Sequence, residues 1–213
     1  MSQAVIYGPD YSTYVRTVRL CFEEKGAPYE LAPVHILGGE AQDPAYLRKH
    51  PFAKVPAFQH DGLELYETDA IARYVDAVFP GKALQPADAK AAARMNQAVS
   101  IVNSYAYGAI VGKLAWQRLI VPMMGGAADE SVIEASKPMV SRCLSEFERI
   151  RGNDRYLAGS EITLADLFLA PIFAYFVMTP EAADLLADHP GLQHWWSEIS
   201  ARPSMQATAP KMG

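Results

Sequence analysis

Three short stretches carry the residue types that could do chemistry. Ser12 and Thr13 follow Tyr7-Gly8-Pro9-Asp10-Tyr11, where an apolar run passes into an amphipathic one. Lys54-Val55-Pro56 opens another apolar run, and Glu67-Thr68 stands between a third such run and a helical pattern. The first turn of a helix has unpaired amides and a positive dipole end, so anions are stabilised there. A Ser12 hydroxyl at that point can donate to a bound sulfur and favour thiolate over thiol. Ser is also among the best N-caps, and a purely local capping role for Ser12 or Thr13 is equally compatible with these residues. At the second helix start, the amides and the Thr68 hydroxyl can take a carboxylate while Glu67 pairs with an ammonium, a combination that suits an α-amino acid head group. Alone, that pair also reads as a cap with an acid beside it.

Pro56 adds a backbone element. An X-Pro bond can be cis at a cost of about 0.5–1 kcal/mol, and a cis bond before a strand would turn the Val55 N–H and C=O toward an extended peptide, adding a strand to a sheet edge. The low frequency of cis bonds favours a trans bond that merely opens a strand, on these residues alone. All three stretches fall within the first 80 residues, and the combination is much more specific than its parts.

The elements that must position them alternate in type. Ala4 to Tyr7 reads as a strand, Ser12 to Lys25 as a helix with Val15, Val18 and Phe22 on one face and Gly26 as its stop, and Tyr29 to Val34 as a second strand. Val55 to Gln59 and Leu63 to Tyr66 flank His60-Asp61-Gly62, a hairpin signal, and Ile71, Tyr74, Val75 and Val78 continue a helix up to Pro80-Gly81. A β-α-β unit followed by β-β-α predicts a mixed four-stranded sheet with helices against it, an α/β thioredoxin-like arrangement over residues 1–80. A Pro- and Gly-rich linker over 81–87 then leads to an all-α domain over 88–213. Its helices are expected at about Ala87 to Ile120, Ser131 to Arg151, Thr163 to Tyr175, Pro180 to Asp188 and Gly191 to Ala201, with Pro138 and Pro171 as early-turn or kink sites. Thr163-Leu164-Ala165-Asp166, between Ile162 and Leu167, reads as a capping box with a hydrophobic staple, a folding signal.

Composition narrows the classes. Half of the 213 residues are apolar, the formal charge is -5 and the pI is near 5.5. No Lys/Arg cluster is interleaved with aromatics, which argues against nucleic acid or an anionic membrane as partner. The longest apolar run, Leu167 to Met178, is too short to cross a bilayer, and Met1-Ser2-Gln3-Ala4 lacks the charged and apolar regions of a leader, so a soluble cytoplasmic protein is expected. Cys21 and Cys143 stand inside helical patterns as buried free thiols, and none of the five His shows metal-ligand spacing, so no metal is expected.

Tyr7-Gly8-Pro9 with Ser12-Thr13, His50-Pro51-Phe52-Ala53-Lys54-Val55-Pro56, Leu65-Tyr66-Glu67-Thr68-Asp69-Ala70-Ile71-Ala72-Arg73-Tyr74 and the Thr163 to Asp166 cap, in this order, resemble a cytosolic glutathione S-transferase across essentially the whole chain. The resemblance is greatest to the serine-type, phi-like branch and related bacterial members. It implies that glutathione is the co-substrate, that Ser12 contacts its sulfur, and that Val55 before a cis Pro56 pairs with the cysteinyl backbone. It also implies that Glu67 and Thr68 hold the γ-glutamyl end, and that Gln42 and Lys54 lie at the glycyl end. Conjugation to a hydrophobic electrophile and a homodimer, with Phe52 reaching the partner, follow from the same resemblance. Tyr11 and Trp116 are the candidates for the electrophile pocket, with Tyr105, Tyr107, Met123 and Met124 nearby in sequence.

The sequence departs from the pattern at the glycyl end, where Ala41-Gln42 replaces a basic pair and leaves neutral donors and Lys54. Thr68 replaces Ser and keeps the hydroxyl. No Cys lies between Tyr7 and Val15, which disfavours disulfide chemistry, and Tyr7 and Tyr11 are alternative activators of the thiol. Glutathione-dependent isomerisation or peroxide reduction, and a non-catalytic ligand-binding role, are the competing functional readings.

Overall fold

The structure is a computed structural model that describes residues 3–211. Met1 and Ser2, on which part of the leader reading rests, lie outside the described residues, as do the last two residues of the expected 88–213 domain. Two compact units emerge: the chain up to Gln85 joined by the residues from Ala201 onward, and Pro86–Ser200.

The first unit runs β1 (Ala4–Tyr7), α1 (Thr13–Lys25), β2 (Tyr29–Ala32), α2 (Pro44–Leu47), β3 (Ala57–His60), β4 (Leu63–Tyr66) and α3 (Thr68–Val78). Its sheet has the order β2-β1-β3-β4, with β1 and β2 parallel and the other pairs antiparallel, the mixed thioredoxin-like sheet expected from β-α-β-β-β-α. Alternation along β1 buries Ala4 and Ile6. The apolar face of α1 buries Val15, Val18, Cys21 and Phe22, and α3 contributes Ile71, Ala72 and Val75. Gly26 ends α1 in the left-handed region (φ 64°), where its N–H reaches the Glu23 carbonyl and that of Ala27 reaches the Phe22 carbonyl. Asp61 and Gly62 both have positive φ, the backbone that a tight hairpin with right-handed strand twist requires.

Strand β2 stops at Ala32, two residues short of expectation, because Val34 leaves the sheet to pack with Ala41, Tyr46 and Ala57. Two short 3₁₀ turns, Ile36–Gly38 and Glu40–Gln42, and α2 fill the stretch that follows.

The second unit is helical: α4 (Ala89–Ile101), a π-helical segment (Val102–Ile120), α5 (Val121–Met123), α6 (Glu130–Arg151), α7 (Leu164–Phe176), α8 (Ala182–Leu186) and α9 (Pro190–Ser200). One continuous α-helix was expected up to Ile120; its second part instead has the wider winding, with the Val121 N–H bonded to the Trp116 carbonyl. Apolar residues three and four apart do not separate the two windings, so the sequence pattern is silent on the change. Pro138 and Pro171 lie inside α6 and α7 rather than in their first turns. Cys21 and Cys143 are buried free thiols in different units. Among the described residues no helix is long and apolar enough to cross a membrane.

Residues 201–211, including α10 (Pro203–Ala207), belong with the first unit, whereas the sequence reading assigned all of 88–213 to the helical domain. The cause is polar and buried. Arg16 and Arg19 on α1 donate to the Met205 and Ala207 carbonyls at 2.9 and 3.3 Å, and Glu24 accepts from Arg202 Nε at 2.7 Å.

A buried ion pair joins the end of α1 to α3. Lys25 Nζ lies 3.0 Å from Asp76 Oδ1, and Asp76 also accepts the Leu84 and Gln85 amides at 2.8 and 3.1 Å. Burial alone would raise the Asp76 carboxyl, but the bonds from Leu84, Gln85 and Lys25 outweigh it and hold the pKa below the usual value of 3.8. Burial likewise pushes the Glu24 carboxyl up, and the bonds from Arg202 and Ser204 overcome that rise and hold it below its usual value. Both folded pKa values are depressed, so their contribution to stability is present above the unfolded pKa values near 4 and is lost as pH falls through the folded ones. Urea midpoints of the first unit should therefore hold steady above about pH 5 and drop below about pH 4. Asp76→Asn should flatten that acid limb, and an unchanged limb would refute the assignment.

Candidate active site

The sheet register brings the three chemically loaded stretches to one end. Tyr7 pairs with Ala32 on one side and Ala57 on the other, and Ala57 pairs with Tyr66, so these four residues form one row across the sheet. One step beyond that row stand Gly8, which leads to Ser12, then Pro56, and then Glu67. The sequence supplies the residue types; the register supplies their convergence.

Gly8 is the hinge of the first stretch. Its φ is 152°, its N–H bonds the Ala32 carbonyl at 2.9 Å, and an added Cβ would stand 2.4 Å from Val15 Cγ2 and 3.2 Å from Val55 Cβ. Only glycine lets the turn before Ser12 lie this close to Val55. Ser12 caps α1: its Oγ accepts the Val15 N–H at 3.4 Å, and its backbone is extended. Capping uses the oxygen as an acceptor, so the hydroxyl proton remains for another partner. The capping and chemical readings of Ser12 are compatible.

Val55-Pro56 is a cis peptide. Tyr46, which the sequence reading passed over, fixes this stretch from behind: its hydroxyl donates to the Lys54 carbonyl at 2.7 Å, and its ring packs with Val34, Ala41 and Ala57. Burial pushes the Tyr46 phenol up to about 12, so it stays neutral and a donor. A tyrosine in α2, eight residues before Lys54, carries no local signal of this role.

Glu67 precedes α3 with φ 71° and ψ 115°, and Thr68 is buried at the helix start while Glu67 is exposed. Ala53 also has positive φ (52°). Two non-glycine residues in the left-handed region, each at a cost of about 1–2 kcal/mol, stand within three residues of Pro56 and at Glu67 itself. Strain of this kind concentrates at ligand-binding positions. His50, also not anticipated, is buried against Tyr66 with ring centroids 5.0 Å apart, and its Nδ1 has no hydrogen-bond partner. Burial holds its pKa below the ordinary value against the pull of the Glu67 carboxylate, leaving a neutral imidazole behind Glu67 at pH 7.

Other candidates are placed differently. The Tyr7 hydroxyl donates to the Gln59 side-chain carbonyl at 3.0 Å, and Lys49 Nζ lies 4.3 Å from its ring centroid, so the phenol is engaged by the sheet and not by the turn. Tyr11 is partly exposed; burial raises its phenol, an interaction with the Leu37 backbone opposes this, and the Asp10 charge adds to the rise. Gln42 and Lys54 are exposed, on segments that leave the same end of the sheet. Trp116 is exposed on the π-helical segment of the second unit. No group of three or more His, Cys, Asp or Glu among the described residues is placed to hold a metal ion.

A thioredoxin-like unit that carries a hydroxyl at its first helix start and a cis proline just ahead of its third strand, followed by a helical unit, defines a class of thiol-handling proteins without a dithiol of their own. Residues 6–83 match a family model described as the glutathione S-transferase N-terminal domain, and residues 109–203 match the C-terminal domain of the same family. Glutathione S-transferase F13 of Arabidopsis thaliana is 32% identical over 208 residues, covering 96% of this chain and 94% of its own length. The crystal structure of glutathione transferase F7 from Populus trichocarpa superposes with a TM-score of 0.87 at 30% identity, covering 96% of this chain and 97% of that one. Glutathione S-transferase I from maize, in complex with an atrazine glutathione conjugate, gives 0.85 at 29% identity over 97% and 96%. The chain belongs to the glutathione S-transferase family, on its serine-type, phi-like branch.

Proposed function

We propose that this chain conjugates glutathione to a hydrophobic electrophile, with Ser12 stabilising the glutathione thiolate. The thiol releases its proton to solvent, the sulfur attacks the electrophilic carbon, a C–S bond forms, and a leaving group such as halide departs. Ser12 acts by donating its free hydroxyl proton to the sulfur, and the α1 N-terminus adds a favourable field. Val55 offers its N–H and C=O to the cysteinyl backbone, Glu67 and the α3 start take the γ-glutamyl ammonium and carboxylate, and Gln42 with Lys54 takes the glycyl carboxylate. Tyr11 and Trp116 are the residues proposed to meet the electrophile.

One observation carries the reading: the row Ala32–Tyr7–Ala57–Tyr66 places the Ser12 turn, Val55-Pro56 and Glu67-Thr68 at the same end of one sheet. The atrazine glutathione conjugate held by the maize relative supports conjugation as the reaction class. Incubation with glutathione and an aryl halide should yield the thioether with release of halide; absence of product across a panel of aryl halides, epoxides and enones would overturn it.

The reading extends to a cytoplasmic homodimer. Phe52 is 66% exposed, and its ring leans on Tyr66 at 6.0 Å, itself packed on His50, so a large apolar side chain is presented on a rigid base. Phe52 inserts into the partner in this proposal. Light scattering should give a mass near twice the 23.4 kDa of one chain, and Phe52→Ser should shift it toward the single-chain value at micromolar concentration. A wild-type mass of one chain would sink the dimer.

A further inference from the structure

Residues 201–211 form a strap along α1, and its far end meets the turn that carries Ser12. At the last turn of α1, Glu24 Oε1 accepts Arg202 Nε at 2.7 Å. Along the helix, Arg19 Nη1 donates to the Thr208 carbonyl at 3.1 Å, and Arg16 donates to the Met205 carbonyl at 2.9 Å and to Thr208 Oγ1 at 3.3 Å. Thr208 is fully buried, and Met205, Ser204, Arg16 and Arg19 nearly so. Ahead of the helix, the backbone N–H of Lys211 donates to Asp10 Oδ2 at 2.9 Å.

We propose that Asp10 is a positioning residue for Ser12, acting by capturing the Lys211 N–H so that the strap fixes the tip of the Gly8–Ser12 turn. The inference rests on the reading of Ser12 as thiolate stabiliser. The turn is short and clamped at its base, where Gly8 abuts Val15 and Val55 and the Ser12 N–H reaches the Pro9 carbonyl at 3.2 Å. Asp10 is its midpoint. A side-chain acceptor there, bonded to a strap anchored by two buried arginines, removes the freedom left at the tip. A hydroxyl that must donate to a sulfur is sensitive to displacements of about 1 Å, which can cost up to about 10²-fold in rate.

The donor is a backbone N–H, so it can be deleted without touching Asp10. In the full chain, Asp10→Ala and Lys211→Pro should each lower kcat with glutathione and an aryl halide by about three- to tenfold, while KM for glutathione stays within about twofold. The double variant should lose no more than either single one, because both remove the same bond. Asp10→Asn keeps an acceptor oxygen and should restore most of the rate. Unchanged kcat in Asp10→Ala, additive losses in the double variant, or failure of Asp10→Asn to recover would each overturn the proposal. Ser12→Ala is measured beside them. If it retains full turnover, the reading of Ser12 fails and takes the proposal with it; if it loses turnover while Asp10→Ala does not, the strap proposal alone fails.

Discussion

Ser12→Ala is expected to lower kcat for glutathione conjugation about 10²-fold, while KM for glutathione changes by less than about threefold. The split follows from where the hydroxyl acts. Glutathione is to be held by the Val55 backbone and the Glu67-Thr68 helix start, none of which the substitution touches. The hydroxyl bond gains strength only as negative charge settles on sulfur, so its loss falls on the step that forms and uses the thiolate. The acid limb of the kcat profile should move to higher pH, since less stabilisation of the charged form means a higher thiol pKa. Ala also removes the α1 cap, but the Ser12–Val15 bond is long at 3.4 Å, and the stability loss should stay near about 1 kcal/mol. Ser12→Thr, which keeps the hydroxyl, should recover a substantial part of the rate. Steady-state kinetics over pH 5.5–8.5 decide the matter. An unaltered kcat would displace Ser12 and turn attention to Tyr11, since the Tyr7 phenol is committed to Gln59.

The largest expected loss of stability is at Asp166. This carboxylate is fully buried and accepts four bonds: the Thr163 N–H at 2.8 Å and its hydroxyl at 3.0 Å, the Leu157 N–H at 2.9 Å and the Trp195 indole N–H at 2.9 Å. Burial raises its pKa, and the four donors oppose that rise. Asp166→Ala would strand four buried donors around a small cavity. Each stranded group costs about 1–3 kcal/mol, the costs do not add fully, and a net loss of about 3–5 kcal/mol is expected. Asp166→Asn keeps one acceptor but turns an NH₂ toward donors, so it should lose at least about 2 kcal/mol. All three tryptophans, Trp116, Trp195 and Trp196, lie in the second unit, so indole fluorescence during urea unfolding reports on that unit directly. A midpoint unchanged in both variants would show that Asp166 contributes nothing measurable to the stability of the unit, its cap included.

Much of the first unit is legible in its sequence. Gly26, Asp61-Gly62 and the three-to-four spacing of apolar residues on α1 and α3 are local signals, and each element they predict is present. The candidate site is legible as residue types: a hydroxyl and an acid at two helix starts, and an X-Pro bond ahead of a strand. Its support is not. Tyr46 holds the Lys54 carbonyl, and His50 packs on Tyr66 beside Glu67; a tyrosine or histidine in a one-turn helix or a turn looks the same whether it faces a site or solvent. The Thr163–Asp166 cap was visible from its spacing, yet the bond from Trp195, 29 residues further on, makes it the anchor of the helical unit.

The sequence by itself determined the order and type of the elements in the first unit, the turns between them and the chemical groups at the strand–helix junctions, because these depend on neighbours a few residues apart. Only the tertiary structure decided that β2 gives way at Ala32, that the long helix changes its winding at Val102, and that residues 201–211 leave the helical unit to lie along α1. Arg16 and Met205 are 189 positions apart, and their bond replaces water at both groups only once the chain has folded. No local period encodes such a pairing. It is the row of four residues across the sheet, rather than any motif, that gathers Ser12, Val55-Pro56 and Glu67-Thr68 at one end of it.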